Sequence, residues 1–468
     1  MVRRRKKLRS GRVMSVFLLC AIMLLGDAGM MTIQAAPSTG RAANLVVIVR
    51  YQGDTVGDDD TGYNTPYTSQ ISGAPTTYWG LLQRRFNGEN DTFAIGSFRE
   101  YLSRLSGGAH QVESLFPQTV SGERVEYITL DKTLAEYQGS NEISLVAEVA
   151  QKLTEKYPTY DGTLLDRDGD GAIDNLMILA SVPKTGQFTP HTTNAGNSYT
   201  FAGKTIGYYN ILETCTTTLS SGTFWDSFDI ATAAHEYVHT FGVPDYYRTS
   251  GMNGTPVGMW DLMAGSLGRP SLLATTRENI GWAKIAQKTA TSSTYTLYDM
   301  DSAYANGGKS QAYKFYTPFS SSEYFVVEYR KPGKKYSADL DQNMSGAGLI
   351  VYRVNPAYAT DGNLRGNDYI YVFRPDDTGG NASAGDITKA AAGMPTYISG
   401  RQSIGSEDLS KTIVDNAICY SDGRNSGMTI SVTAQTDDSI TFDVTFPDYA
   451  NMNLWETVTS QDGTTPLS

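Results

Sequence analysis

Histidine is scarce in this chain, which has four among 468 residues, and cysteine is scarcer still at three. No CxxC pair occurs, so neither a zinc ribbon nor a thioredoxin-like redox motif is present, and three cysteines make no disulfide framework. Cys20 falls inside an amino-terminal apolar run. Cys215 and Cys419 remain, far apart in sequence, and the alternatives of a disulfide and of two buried thiols both stay open. Basic residues are outnumbered, with 38 Lys and Arg against 49 Asp and Glu. Seven of the basic residues and one acid precede Pro37, so the remainder carries 31 basic and 48 acidic side chains. A surface that acidic repels nucleic acid and anionic membranes, and its carboxylates offer sites for hard cations. Long apolar runs are missing too. The exception, Val13 to Leu25, is too short to cross a bilayer comfortably.

That run follows the basic stretch Arg3 to Arg12 and precedes Ile33-Gln34-Ala35-Ala36, whose small residues suit a signal peptidase. Residues 1–36 therefore read as a signal peptide cleaved after Ala35 or Ala36, with an uncleaved anchor as the alternative. The expected product is secreted and extracellular, with no stable membrane insertion after cleavage. The polar tail 447–468 holds no sorting motif or membrane span. With 40% hydrophobic and 19% charged residues, the rest is ordinary globular material, enough for one large core or two moderate ones.

Two of the four histidines stand in His235-Glu236-Tyr237-Val238-His239-Thr240-Phe241-Gly242-Val243-Pro244-Asp245. Histidines four apart share one helix face, so both imidazoles reach one metal while Glu236 stays free of it. A catalytic zinc takes about three protein ligands and a water, so one ligand is still needed. Asp245 is the candidate. Gly242 can adopt a positive φ, end the helix and turn the chain back, and Pro244 prevents the helix from resuming. The alternative is a helix carrying two satisfied histidines.

A second pattern is Asp166-Arg167-Asp168-Gly169-Asp170-Gly171-Ala172-Ile173-Asp174, with carboxylates at alternate positions and glycine where a cation loop turns sharply. It matches the first nine positions of an EF-hand loop, with Ala172 offering its carbonyl. Met177 stands where the bidentate glutamate would be, and Leu176 to Ala180 looks like a strand. Asp166, Asp168, Asp170, Ala172 and Asp174 are therefore expected to hold a structural Ca²⁺ in a loop of another kind. Of the other histidines, His110 reads as structural or exposed rather than a ligand, and His191 as a loop residue or a neighbour of the ligands.

The zinc segment, continued by Val257-Gly258-Met259-Trp260-Asp261-Leu262-Met263 and by Asn279-Ile280-Gly281-Trp282, resembles the M6 peptidases, secreted bacterial zinc proteases typified by immune inhibitor A. These resemble metzincins with aspartate as the third ligand. The resemblance runs with falling specificity from about Asn44 to Asn355. It implies that Met263 forms a Met-turn beneath the metal and that the strand Leu176 to Val182 is the sheet edge along which a peptide substrate lies. Metzincins often place a tyrosine two residues past that methionine. Here the place is Gly265, which leaves Tyr246 and Tyr247 as weak candidates for stabilising an oxyanion.

Elsewhere, Asn44 to Tyr51 is a continuous β-branched run, the pattern of a buried strand. Ser97 to Leu105 and Ser140 to Tyr157 carry helical stripes, the latter through Ile143, Val146, Ala147, Val149, Ala150 and Leu153. Phe228 to Phe241 is the helix of the zinc motif, capped by Asp226, Ser227 or Asp229. From about Lys288 short β-branched and aromatic runs alternate with turn residues, as antiparallel strands do. The expected class is α+β, with a metzincin-like zinc peptidase domain (mixed sheet plus active-site helix) over 37–287 and an antiparallel all-β sandwich-like domain over 288–446. Tyrosine-rich strands of the latter are candidates for surface or glycan contact, although half-buried tyrosines are commoner in sandwiches.

The function expected from these readings is a zinc-dependent endopeptidase acting on protein or peptide substrates, with Glu236 as general base. The alternatives are a zinc hydrolase of a non-peptide bond and a secreted adhesin or glycan-binding protein with a vestigial peptidase domain.

Overall fold

The structure, a computed structural model, describes residues 36–54, 62–89, 96–137, 142–181, 190–214, 216–218, 224–226, 228–249, 252–300, 303, 309–333, 340–378 and 385–449. The signal segment up to residue 35, Ser140 at the start of its helical stripe, the Ser227 cap, Cys215 with its pairing, and the tail from 450 lie outside the described residues.

In chain order the elements framing the candidate site are β1 (Gly40–Arg50), α1 (Phe98–Leu105), β2 (His110–Leu115), α2 (Glu142–Lys156), β3 (Leu176–Ser181), β4 (His191–Asn194), β5 (Tyr208–Thr214) and α3 (Ile230–His239). The β-branched run of β1 is buried from Ala42 to Val49 because it has neighbours on both sides, parallel β2 and parallel β3. The sheet order is β2-β1-β3-β5-β4, with β4 antiparallel. Alternation along β1 serves two layers. Leu45, Val47 and Val49 face α2, whose Leu145, Val146, Val149 and Leu153 complete one core, while Val46 and Ile48 face α1 and α3. Ile143 was expected inward but stays exposed on the first turn of α2, and Leu145 fills the stripe instead.

The sheet corrects one expectation. The strand beginning at Leu176 is not an edge: β3 lies between β1 and β5, and among the described residues the edge is β4. Its unbroken apolar run is the physical reason, since a strand buried on both faces needs neighbours along both sides.

The rest comprises α4 (Ala274–Ile280), β6 (Ala286–Lys288), β7 (Ser293–Tyr298), β8 (Ala312–Phe315), β9 (Tyr324–Arg330), β10 (Gly348–Val354), β11 (Ile370–Val372), β12 (Ser403–Gly405), β13 (Thr429–Gln435) and β14 (Ser439–Thr445). A front sheet of order β6-β8-β9-β10-β11 faces a back sheet of order β7-β14-β13-β12. All pairs are antiparallel except β6 with β8. Phe325, Val327, Leu349 and Val351 pack with Ile430, Phe442 and Val444 between the sheets. Val326, Ile350, Tyr352 and Val354, on the other face of the front sheet, join the same core as Tyr237, Trp260 and Met263. Apolar packing thus runs without a break across residue 287. Buried ion pairs lie within it, with Arg330 against Asp341 and Arg277 against Glu328.

The described molecule is therefore mixed α and β, with several sheets and few helices. Among the described residues no helix is long and apolar enough to cross a membrane.

Candidate metal centre

Helix α3 begins at Asp229, whose carboxylate accepts the Thr232 amide at 2.9 Å, a cap worth about 1 kcal/mol. One face buries Ala233, Ala234, Tyr237 and Val238, and Tyr237 packs edge-on against Phe98 and Phe241. That packing fixes the rotation of the opposite face, which presents His235 and His239. The helix stops where Gly242 takes φ +76°, and the chain doubles back through Val243 and Pro244 to Asp245.

Each imidazole is oriented by a main-chain carbonyl. Nδ1–H of His235 donates to Leu262 O at 2.8 Å and Nδ1–H of His239 to Val243 O at 2.7 Å. A carbonyl only accepts, so each Nδ1 carries a proton, and in the neutral rings both Nε2 atoms keep a lone pair. These Nε2 atoms lie 3.2 Å apart, and Asp245 Oδ1 is 3.0 Å from that of His235 and 3.3 Å from that of His239. Oδ1 is buried and has no hydrogen-bond donor. With the rings neutral, three electron-pair donors converge, an arrangement that repels itself unless a cation sits among them. Two imidazoles and a carboxylate, each aimed by a carbonyl or a turn, are a donor set that fits zinc.

Glu236 is buried beside this group. The Thr192 hydroxyl, on edge strand β4, lies 2.6 Å from the Glu236 carbonyl and 2.9 Å from its Oε2. Behind Thr192, Asn210 Nδ2 donates to Thr192 Oγ1 at 3.0 Å and to Glu236 O at 3.1 Å, and Asn175 Nδ2 donates to Asn210 Oδ1 at 2.7 Å. This buried polar line runs from the loop end at Asn175 to the glutamate. Sequence reasoning missed it, although an asparagine within the apolar run Tyr208 to Leu212 was a signal.

Met263 is fully buried in the turn Leu262–Ala264 that follows α3, and its carbonyl accepts the Tyr246 amide at 2.8 Å. Asp261 builds that turn by accepting the Met263 and Leu273 amides and the Thr276 hydroxyl, each at 2.7 Å, and burial pushes its carboxyl up to about 6. The two tyrosine candidates separate. Tyr246 is fully buried with its hydroxyl toward Thr276, whereas Tyr247 is 43% exposed with its ring 6.4 Å from that of His235. His110 lies in the core, 3.1 Å from the Tyr237 hydroxyl, and His191 meets Glu142 at 2.8 Å. Neither joins the triad.

At the acidic loop the structure gathers Asp166, Asp168 and Asp174. Gly169 and Gly171, at φ +77° and +93°, make the turns. Asp170 is not in the group: its Oδ1 accepts the Ala172 amide at 2.8 Å, and Ala172 lies in a short strand paired with Lys204–Ile206. Lys204 Nζ sits 2.6 Å from Asp166 Oδ2, while Asp166 Oδ1 is buried without a partner. Burial pushes Asp174 up to about 7. An all-oxygen group of this kind fits a hard cation such as calcium.

No protein-family model matches the chain. Two pre-pro-metalloproteases PrtV from Vibrio cholerae serotype O1, strains M66-2 and ATCC 39315, are each 28% identical over 226 residues, covering 41% of this chain and 23% of the relative. The chain thus spans under a quarter of the length of these curated relatives, and the similarity is that of a distant metalloprotease relationship. Among solved structures, catalytically inactive OgpA from Akkermansia muciniphila, bound to an O-glycopeptide substrate, aligns at 10% identity and a TM-score of 0.25 over 70% of this chain and 92% of that one. An overlap that low carries no argument.

Proposed function

We propose that the chain is a secreted zinc-dependent endopeptidase of the M6, metzincin-like kind, with His235, His239 and Asp245 as metal ligands and Glu236 as general base. The observation that carries this reading is the meeting of two Nε2 lone pairs and an undonated Asp245 Oδ1 within 3.3 Å. When bound, zinc would polarise the scissile carbonyl and acidify a water. Glu236 takes the proton of the attacking water and returns it to the leaving amine, so no covalent intermediate is needed. Strand β4, the edge of the main sheet beside Glu236, offers its main chain to an extended peptide, which fixes the register of the scissile bond. Tyr247, half-exposed with its ring against that of His235, is the candidate donor to the developing oxyanion. A calcium ion held by Asp166, Asp168 and Asp174 braces the loop before β3. The similarity to proteins named metalloproteases supports the class.

The test is Glu236→Gln in the full chain. The variant should keep about one zinc per chain while peptide hydrolysis falls at least about 10²-fold, the scale of a lost general base. Hydrolysis at the wild-type rate would remove Glu236 from the mechanism. If a panel of proteins and peptides is left uncut by a zinc-loaded wild type, the bond attacked is of another kind.

A further inference from the structure

We propose that the β-rich half completes the metal centre: the loop 361–370 clamps the turn that presents Asp245, with Gly362 and Asn363 as positioning residues for the third ligand. The inference rests on the zinc reading above and assigns this loop a part in it.

The two histidines are held by a helix, but Asp245 is not. It stands in irregular chain after Gly242, and such a segment needs outside partners to keep a carboxylate in place. On one side the Met263 carbonyl takes the Tyr246 amide. The other side is supplied by the loop between β10 and β11. The Asn363 amide donates to Asp245 O at 3.1 Å, and its Nδ2 donates to Tyr246 O at 3.1 Å and to Ile370 O at 2.8 Å. Its Oδ1 accepts the Ile370 amide at 3.1 Å. Fully buried, Asn363 therefore ties the ligand turn to β11, which is itself paired with β10.

Further contacts extend the grip. Arg248, three residues past the ligand, meets both Asp368 oxygens at 2.8 Å in a buried fork, and Thr249 Oγ1 donates to Leu364 O at 2.9 Å. Tyr246 packs on Tyr369. Closest of all is Gly362, at φ +60°, where a Cβ would lie 2.2 Å from Asp245 O and 3.1 Å from Pro244 Cγ. Glycine is thus required there for a second reason besides its φ: the two backbones touch. Any side chain at 362 must push the turn that carries the ligand.

The experiment measures zinc affinity on the full-length chain by competition with a chelator, alongside melting of the metal-free protein. Gly362→Ala should weaken zinc about 10- to 100-fold, the scale of lost support to a ligand. Gly405→Ala is the control for general damage. Position 405 has φ +104° and its Cβ would lie 2.1 Å from Met428 O, but it sits in the back sheet. Its zinc affinity should stay within about threefold of wild type, a change under 1 kcal/mol. Where Gly362→Ala yields no soluble protein, Asn363→Ala is read in the same way. Wild-type affinity in the clamp variant, or equal weakening in both variants, overturns the clamp. A wild type that binds no zinc overturns the metal reading beneath it.

Discussion

Carboxylates gather in two places in this molecule, and they keep different company. At the helix, one aspartate faces two imidazole lone pairs. At the loop, three aspartates face one another with a lysine on the outer side of one. The first set mixes nitrogen with oxygen and suits zinc, while the second is all oxygen and suits calcium. The difference extends to what each cation supports. Lys204 already offsets part of the loop's charge, and the loop braces β1 through Asp174 Oδ2, which accepts the Ala43 amide at 2.7 Å. The helix is fixed by its own packing, and the metal would add chemistry to it more than rigidity. A lone aspartate beside two imidazoles points to reaction, whereas a knot of aspartates at a strand junction points to bracing.

The comparison breaks most visibly at Asp245. Asp245→Ala removes a ligand, so zinc affinity should fall by more than the roughly 10²-fold seen when an outer partner is lost, and hydrolysis should fall with it. Melting of the metal-free protein should change little, because the buried Oδ1 has no donor to lose. Zinc titration and a thermal scan of the same preparation check this. Full zinc loading without Asp245 would make the two sites more alike than claimed.

Next in size is the loop. Removing calcium under conditions that spare zinc should lower the melting temperature, by the equivalent of about 2.7 kcal/mol if the free ion had stood at 100 times its dissociation constant. Asp174→Asn should abolish that calcium dependence, since the neutral amide ends the repulsion that a cation offsets. Hydrolysis per folded molecule should stay near wild type. A melt indifferent to calcium would leave Lys204 as the counter-charge that Asp166 uses.

Both sites were legible because each is nearly continuous in sequence. Residues 235–245 and 166–174 carry their candidate ligands at spacings that a helix and a turn convert directly into proximity, with Asp170 the exception. The edge of the sheet was not legible. Strand β5 was not recognised, and the resemblance alone made β3 the border, although its unbroken apolar run already argued for a place inside. The supports of the site were hidden for a similar reason. Thr192, Asn210 and Asn363 reach Glu236 and the Asp245 turn only through strand pairing and a loop more than a hundred residues downstream. The alternating strands after Lys288 were readable, but their joining the core around Met263 was not, since periodicity shows that a face is buried and not against what.

The smallest effect is expected at Thr192, and it tests whether the polar line between the two sites matters to the reaction. Its hydroxyl bridges the carbonyl and the carboxylate of Glu236, with Asn210 and then Asn175 behind it, next to the loop end at Asp174. Thr192→Val keeps the shape and removes the bridge, so Glu236 loses one of the contacts that fix its side chain. The expected result is a fall in kcat of about tenfold, at the lower end of lost outer support, with KM and zinc content unchanged. Thr192→Ser, which keeps the hydroxyl, should recover most of the rate. If the valine and serine variants fall together, the β-branched methyl packs the edge strand and the hydroxyl is incidental. If neither falls, Glu236 is held well enough by its helix alone, and the contrast between a reacting site and a bracing site needs no connection between them.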